Sequence, residues 1–166
     1  MPAKPPNSTP QPGTPITGRR GLHFLNPYLG GVFTASGKGP MGAYTCTRHI
    51  APVLDGKFAQ MAVEWRVGRR PPYTELALFG VDAADKTVRF WSFTSDGKQA
   101  VGTRVEAREL PEDAGKDAAV FEAHMPAGLA RFLFMPQGPD AFVFAVESAN
   151  KGGWKRFLEQ HFSRDG

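Results

Sequence analysis

Residues 57–67 read KFAQMAVEWRV, and their alternation decides the fold. Ala59, Met61, Val63, Trp65 and Val67 fall on one face of an extended chain, with Gln60, Glu64 and Arg66 on the other. Successive side chains of a strand point to opposite faces, so a period of two marks a strand with one dry and one wet side. Asp55-Gly56 stands just before the stretch. That dipeptide supplies the positive φ values a tight hairpin turn requires.

The same pattern continues in both directions. Segments rich in Val, Phe, Tyr, Trp and Thr lie at 28–36, 42–50, 73–81, 87–94, 99–107, 118–124, 129–135 and 141–147. Turn chemistry divides them, as in Ser95-Asp96-Gly97-Lys98 and Gln137-Gly138-Pro139-Asp140. In 99–107 the alternation sets Val101, Thr103 and Val105 against Arg104, Glu106 and Arg108. In Phe132–Met135 and Phe142–Val146 both faces are apolar, which implies either a covering element or an apolar cavity inside with a partner surface outside. Trp154, Phe157, Leu158, His161 and Phe162 recur at helical spacing after Gly152-Gly153, and predict a short C-terminal helix. Sequential hairpins with few long connections favour an all-β fold, an up-and-down antiparallel β-barrel of about 8–10 strands closed by that helix.

A chain of 166 residues has the size of one domain. Residues 1–20 hold six of the fifteen prolines and no large apolar residue beyond Met1 and Ile16. They read as a disordered tail ahead of a single barrel domain over 21–166, because such a segment buries too little to offset its ordering entropy. No apolar run approaches the roughly 18 residues of a membrane span. A lone cysteine and no hydrophobic leader point to a cytoplasmic protein. The net charge is +4, but the five basic residues up to position 54 have no acidic neighbours, and 15 basic face 16 acidic residues thereafter. A nearly neutral body lacks the one-sided basic face that nucleic-acid binding needs.

Several stretches together resemble the DUF1579-type and nitrobindin-like proteins of the calycin (lipocalin-like) superfamily. They are Leu29-Gly30-Gly31-Val32-Phe33, the run from Thr47-Arg48 to Leu54-Asp55-Gly56-Lys57-Phe58, and Pro72-Tyr73 with Phe79-Gly80-Val81-Asp82. Val88-Arg89-Phe90-Trp91-Ser92-Phe93 with Asp96-Gly97, and Gly138-Pro139-Asp140 with Phe142 and Phe144, complete the set. The resemblance implies a calycin-like barrel. It departs from those families at Val32-Phe33, where they usually carry Gly-x-Trp, and at Trp154, near the place of the iron-ligating His of haem-binding nitrobindins. No cofactor is therefore expected, and haem least of all.

The chemistry-bearing residues are sparse. His23, His49, His124 and His161 show no metal-ligand spacing. Cys46 reads as a small buried hydrophobe rather than a nucleophile. Glu64, Glu75, His49 and His124 are the strand residues from which a barrel enzyme could draw a general base. The most suggestive set is Tyr44, Arg48, Met61, Trp65, Trp91, Phe93 and Arg131, on strands that would lie close together. Large apolar walls with one or two cations suit an amphiphilic acid, since Arg matches a carboxylate bidentately. The expected function is a non-catalytic barrel, monomeric or homodimeric, that holds a small hydrophobic or amphiphilic ligand. The alternatives are an interaction or structural barrel with a filled core, or a barrel enzyme.

Overall fold

The computed structural model describes residues 9–106 and 110–166. Eleven strands follow in order: β1 Thr14–Pro15, β2 Gly31–Gly39, β3 Gly42–Val53, β4 Phe58–Val67, β5 Tyr73–Val81, β6 Val88–Thr94 and β7 Gln99–Glu106, then β8 Ala119–Met125, β9 Gly128–Pro136, β10 Ala141–Asn150 and β11 Gly153–Arg164. From β2 to β11 each strand runs antiparallel beside its predecessor. The ring of ten closes where Thr34 and Phe33 pair with Ser163 and Arg164. This is the up-and-down barrel expected from the hairpin spacing, and all nine segments read as strands are strands. The end of the sixth segment at Ala107, with Arg108 beyond it, lies outside the described residues.

The C-terminal helix is not there: residues 153–164 form β11, paired along its length with β10. A β-bulge explains the misreading. The register shifts between Val146 and Glu147, opposite Phe157, so Leu158 faces Val146 and Arg156 faces Glu147. One extra residue breaks the period of two and leaves spacings of three and four that mimic a helix. The two residues that made the helical stripe look continuous, Phe157 (65% exposed) and His161, point to solvent. Gln160, a polar residue between them, is buried.

The disordered tail to residue 20 is also corrected; its first eight residues lie outside the described residues. Thr14 and Pro15 pair with Glu106 and Val105. The Ile16 amide donates to the Arg104 carbonyl (2.8 Å), and its carbonyl accepts from the Val88 amide (2.9 Å). The segment is thus wedged between β6 and β7. Backbone pairing fixes it, which a reading of side-chain hydrophobicity misses. A 3-10 segment, Arg19–Tyr28, then plugs one end of the barrel. Its Phe24 ring lies 5.3 Å from Phe134 and 5.8 Å from Phe121, and Tyr28 packs on Phe33 and Phe142.

Strand β7 carries its faces the other way round from the sequence reading. Val101 is outside and 48% exposed, whereas Ala100 packs on the core. Arg104 lies inside: its guanidinium sits 5.3 Å from the Phe24 ring centre, and Nη1 donates to the Gly21 carbonyl, so it clamps the plug. Val105 is buried on the outer face, under Gly13 and the N-terminal wedge. Gly102, opposite Phe90, makes this inversion possible, because the Phe90 ring covers the glycine. A Cβ there would enter the Phe90 ring. Gly102→Ala is expected to cost about 1–3 kcal/mol by overpacking, read as a lower urea midpoint at an unchanged slope.

The doubly apolar hairpin β9–β10 lies under a cover. Leu133, Met135, Val143 and Ala145 point outward and are buried together with Val105, Val120 and Ala114. Ala114 belongs to a 3-10 turn, Glu112–Ala114, in the loop that folds back over these strands. This hairpin is therefore no open partner surface.

Candidate ligand cavity

The plug end of the barrel is filled by rings. Phe24, Phe79, Phe121 and Phe134 pack at centroid separations of 5.3–6.2 Å. Towards the other end the packing stops short and leaves a cavity of about 230 Å³. Strands β3 to β6 and β9 to β11 line it. Its walls are mostly aromatic: Phe79 and Phe90 on one side, Phe132, Phe134 and Phe144 on the other. Trp65 and its cross-strand partner Tyr73 stand at the mouth, where Tyr73 is 39% exposed.

Three polar groups interrupt the apolar lining: Arg48, Glu75 and Ser92. Arg48 is 4% exposed, and the Phe144 and Phe162 rings lie 3.9 and 4.9 Å from its guanidinium. Its Nη1 donates to the Met61 sulfur (3.2 Å), a weak acceptor, while Nε has no hydrogen-bond partner among the described residues. Burial pushes the Arg48 pKa down, opposed by Cys46 and by the charge of Glu75. Burial likewise pushes the Glu75 carboxyl above its ordinary value, outweighing the opposing pull of Arg48 and the hydrogen bond from Ser92. Behind Arg48 lies Cys46, fully buried, whose thiol burial holds protonated above its ordinary pKa. A protonated, buried thiol is a poor nucleophile. Gln160 lies against the same thiol, and among the described residues its amide oxygen and nitrogen meet no nitrogen or oxygen partner.

The seven residues singled out from the sequence divide. Arg48, Met61 and Trp65 line the cavity. Tyr44 stands one layer back, its ring 5.3 Å from Trp65. Trp91 and Phe93 are corrected: both point outside, beside a shallow depression with Leu78 and Val81, and Phe93 is 50% exposed. The run Phe90-Trp91-Ser92-Phe93 has aromatic rings on both faces, so ring content alone cannot orient it; the small Ser92 faces inward. Arg131 is corrected as well. It lies on the outer face of β9, 3% exposed, with Nε donating to Glu147 at 2.6 Å and its guanidinium 4.3 Å from the Trp154 ring. The alternating Phe132 and Phe134, and the Phe144 facing them, were the missed walls.

Among the general-base candidates only Glu75 reaches the cavity. Glu64 lies on the outer face and bonds Arg66 (2.7 Å), and His49 and His124 are exposed. No group of three or more His, Cys, Asp or Glu poised for a metal ion occurs among the described residues. No helix of the described residues is long and apolar enough to cross a membrane.

No protein-family model matches the sequence, and no curated protein matches it either. Among solved structures, one similar chain is a de novo designed fluorescence-activating β-barrel. It shares 18% identity over 85% of this chain and 97% of its own, with a TM-score of 0.27. The fold stated above rests on this chain's own strand pairing.

Proposed function

We propose that the chain is a non-catalytic, calycin-like binding barrel that holds a small hydrophobic or amphiphilic molecule. The observation that carries this reading is an aromatic cavity of about 230 Å³ with one buried guanidinium in its wall. A barrel built only as a scaffold gains by filling its interior, since voids forfeit packing energy. Here the plug half is filled and the other half is not. The volume exceeds the roughly 150 Å³ that accommodates one benzene ring and falls below the roughly 300 Å³ typical of drug-sized pockets. It suits a ligand of one ring with a short polar arm. Proton-transfer catalysis finds little support, because among the described residues the lining offers Glu75 no carboxyl or imidazole partner, and Tyr73 lies on its own strand at the mouth.

Ala77, buried in the cavity wall, offers the direct test. A small aromatic ligand should bind the wild type in isothermal titration calorimetry. Ala77→Phe, which fills the space from the wall, should lower its affinity by at least about tenfold while leaving the circular dichroism spectrum unchanged. Binding that survives this substitution would place the ligand elsewhere and defeat the reading.

A further inference from the structure

Two arginines of this barrel are almost equally buried, Arg48 at 4% and Arg131 at 3% exposure. Arg131 has the Glu147 carboxylate at 2.6 Å. Arg48 has a thioether, a thiol, two ring faces and an orphaned Nε, and no ion pair joins it to a carboxylate among the described residues. Arginine stays charged in proteins, and a buried charge is costly without a partner. The cavity wall therefore holds a cation in search of an anion.

The other groups around the cavity leave that deficit in place. Strand β3 brings Arg48 and Cys46, and β5 brings Glu75 and Tyr73. Strands β4, β6, β9, β10 and β11 contribute no titratable side chain: they present Met61 and Trp65, Ser92 and Phe90, Phe132 and Phe134, Phe144 and Val146, and Leu158. Glu75 is the sole carboxyl in the lining among the described residues, and it acts on Arg48 through its charge rather than by contact.

Resting on the binding reading above, we infer that the cavity selects a small aromatic monocarboxylate and takes up a proton on Glu75 as it binds. The ligand's carboxylate supplies the missing partner of Arg48, and its ring stacks among the five phenylalanines of the wall. With that anion in place, a second ionised carboxyl in the same cavity is repelled, so Glu75 is protonated in the complex. Burial already favours the neutral form in the empty barrel, which lowers the cost of this step. Bound anion raises the Glu75 pKa above its value in the free barrel, so the gain in affinity is full below the free value. It is lost as pH rises through the bound value.

Phenylacetate and its uncharged analogue phenylacetamide, titrated calorimetrically into the full chain across a pH series, test the inference. Wild type is expected to prefer the acid by roughly 10–100-fold, the worth of a charge-assisted hydrogen bond. Its affinity for the acid should fall by up to about tenfold per pH unit above the Glu75 transition, with proton uptake visible as a buffer-dependent heat. In Arg48→Met the preference should vanish or reverse. In Glu75→Gln it should persist and lose the pH-dependent fall. If wild type binds acid and amide equally, and Ala77→Phe weakens both, the cavity binds ligands but the carboxylate inference is overturned. An acid preference whose pH profile is the same in wild type and Glu75→Gln overturns the proton uptake. If neither compound binds at any pH, the inference falls together with the binding reading on which it rests.

Discussion

Glu147→Ala is expected to destabilise the barrel by about 3–5 kcal/mol, because it removes the buried carboxylate that accepts from both Arg131 and Arg156. Glu147 is itself buried and serves two arginines. Arg131 Nε donates to one oxygen at 2.6 Å, and Arg156 Nε donates to the other at 3.1 Å. Arg156 then reaches Asp113 (2.8 Å) in the 3-10 turn that covers β9 and β10. The Glu147 carboxylate thus links the barrel wall to the loop that keeps Leu133, Met135, Val143 and Ala145 dry. Urea unfolding should show the full loss for Glu147→Ala. The exposed end of the chain, tested by Asp113→Ala, should cost less than about 1 kcal/mol, since exposed pairs are worth little. A loss below about 1 kcal/mol for Glu147→Ala would mean that Glu122, opposite Arg131 on β8, compensates the guanidinium instead.

The sequence yielded the barrel, and the reasons are local. Asp-Gly turns and the clean alternation of Ala59, Met61, Val63 and Trp65 leave one register open to β4, and Met61 and Trp65 duly face the cavity. The failures have causes that lie away from the local pattern. Arg104 and Val101 sit on the faces opposite to their polarity because β7 meets two unusual neighbours: a plug that accepts a hydrogen bond from Arg104, and solvent beside Val101. Neither neighbour adjoins β7 in sequence. The bulge opposite Phe157 adds one residue, and one residue suffices to turn a strand pattern into a helical one. The site was half legible for the same kind of reason. Arg48 and Arg131 are indistinguishable as arginines on apolar strands; the strand pairing, which sets Arg131 between Glu147 on β10 and Glu122 on β8, separates a structural ion pair from a cation facing the cavity.

That distinction leads to an opposite expectation for Arg48. Arg48→Met should stabilise the empty barrel by about 1–4 kcal/mol, the range found when buried ionic groups give way to well-packed apolar ones of similar volume. Methionine would lie against Met61, Phe144 and Phe162, surfaces that already match it. It would also remove the unpartnered Nε. The comparison belongs in a Glu75→Gln background, because Arg48 is the charge that eases ionisation of Glu75 and its loss alone would strand that carboxyl. Thermal unfolding of Glu75→Gln against Glu75→Gln/Arg48→Met should show a higher midpoint for the double variant, with the preference for phenylacetate gone. A gain in stability coupled to a loss of selectivity marks a residue kept for what it binds rather than for what it supports. If the double variant is instead less stable by more than about 1 kcal/mol, Arg48 is a structural member of the core, and the cation in the cavity wall has partners of its own.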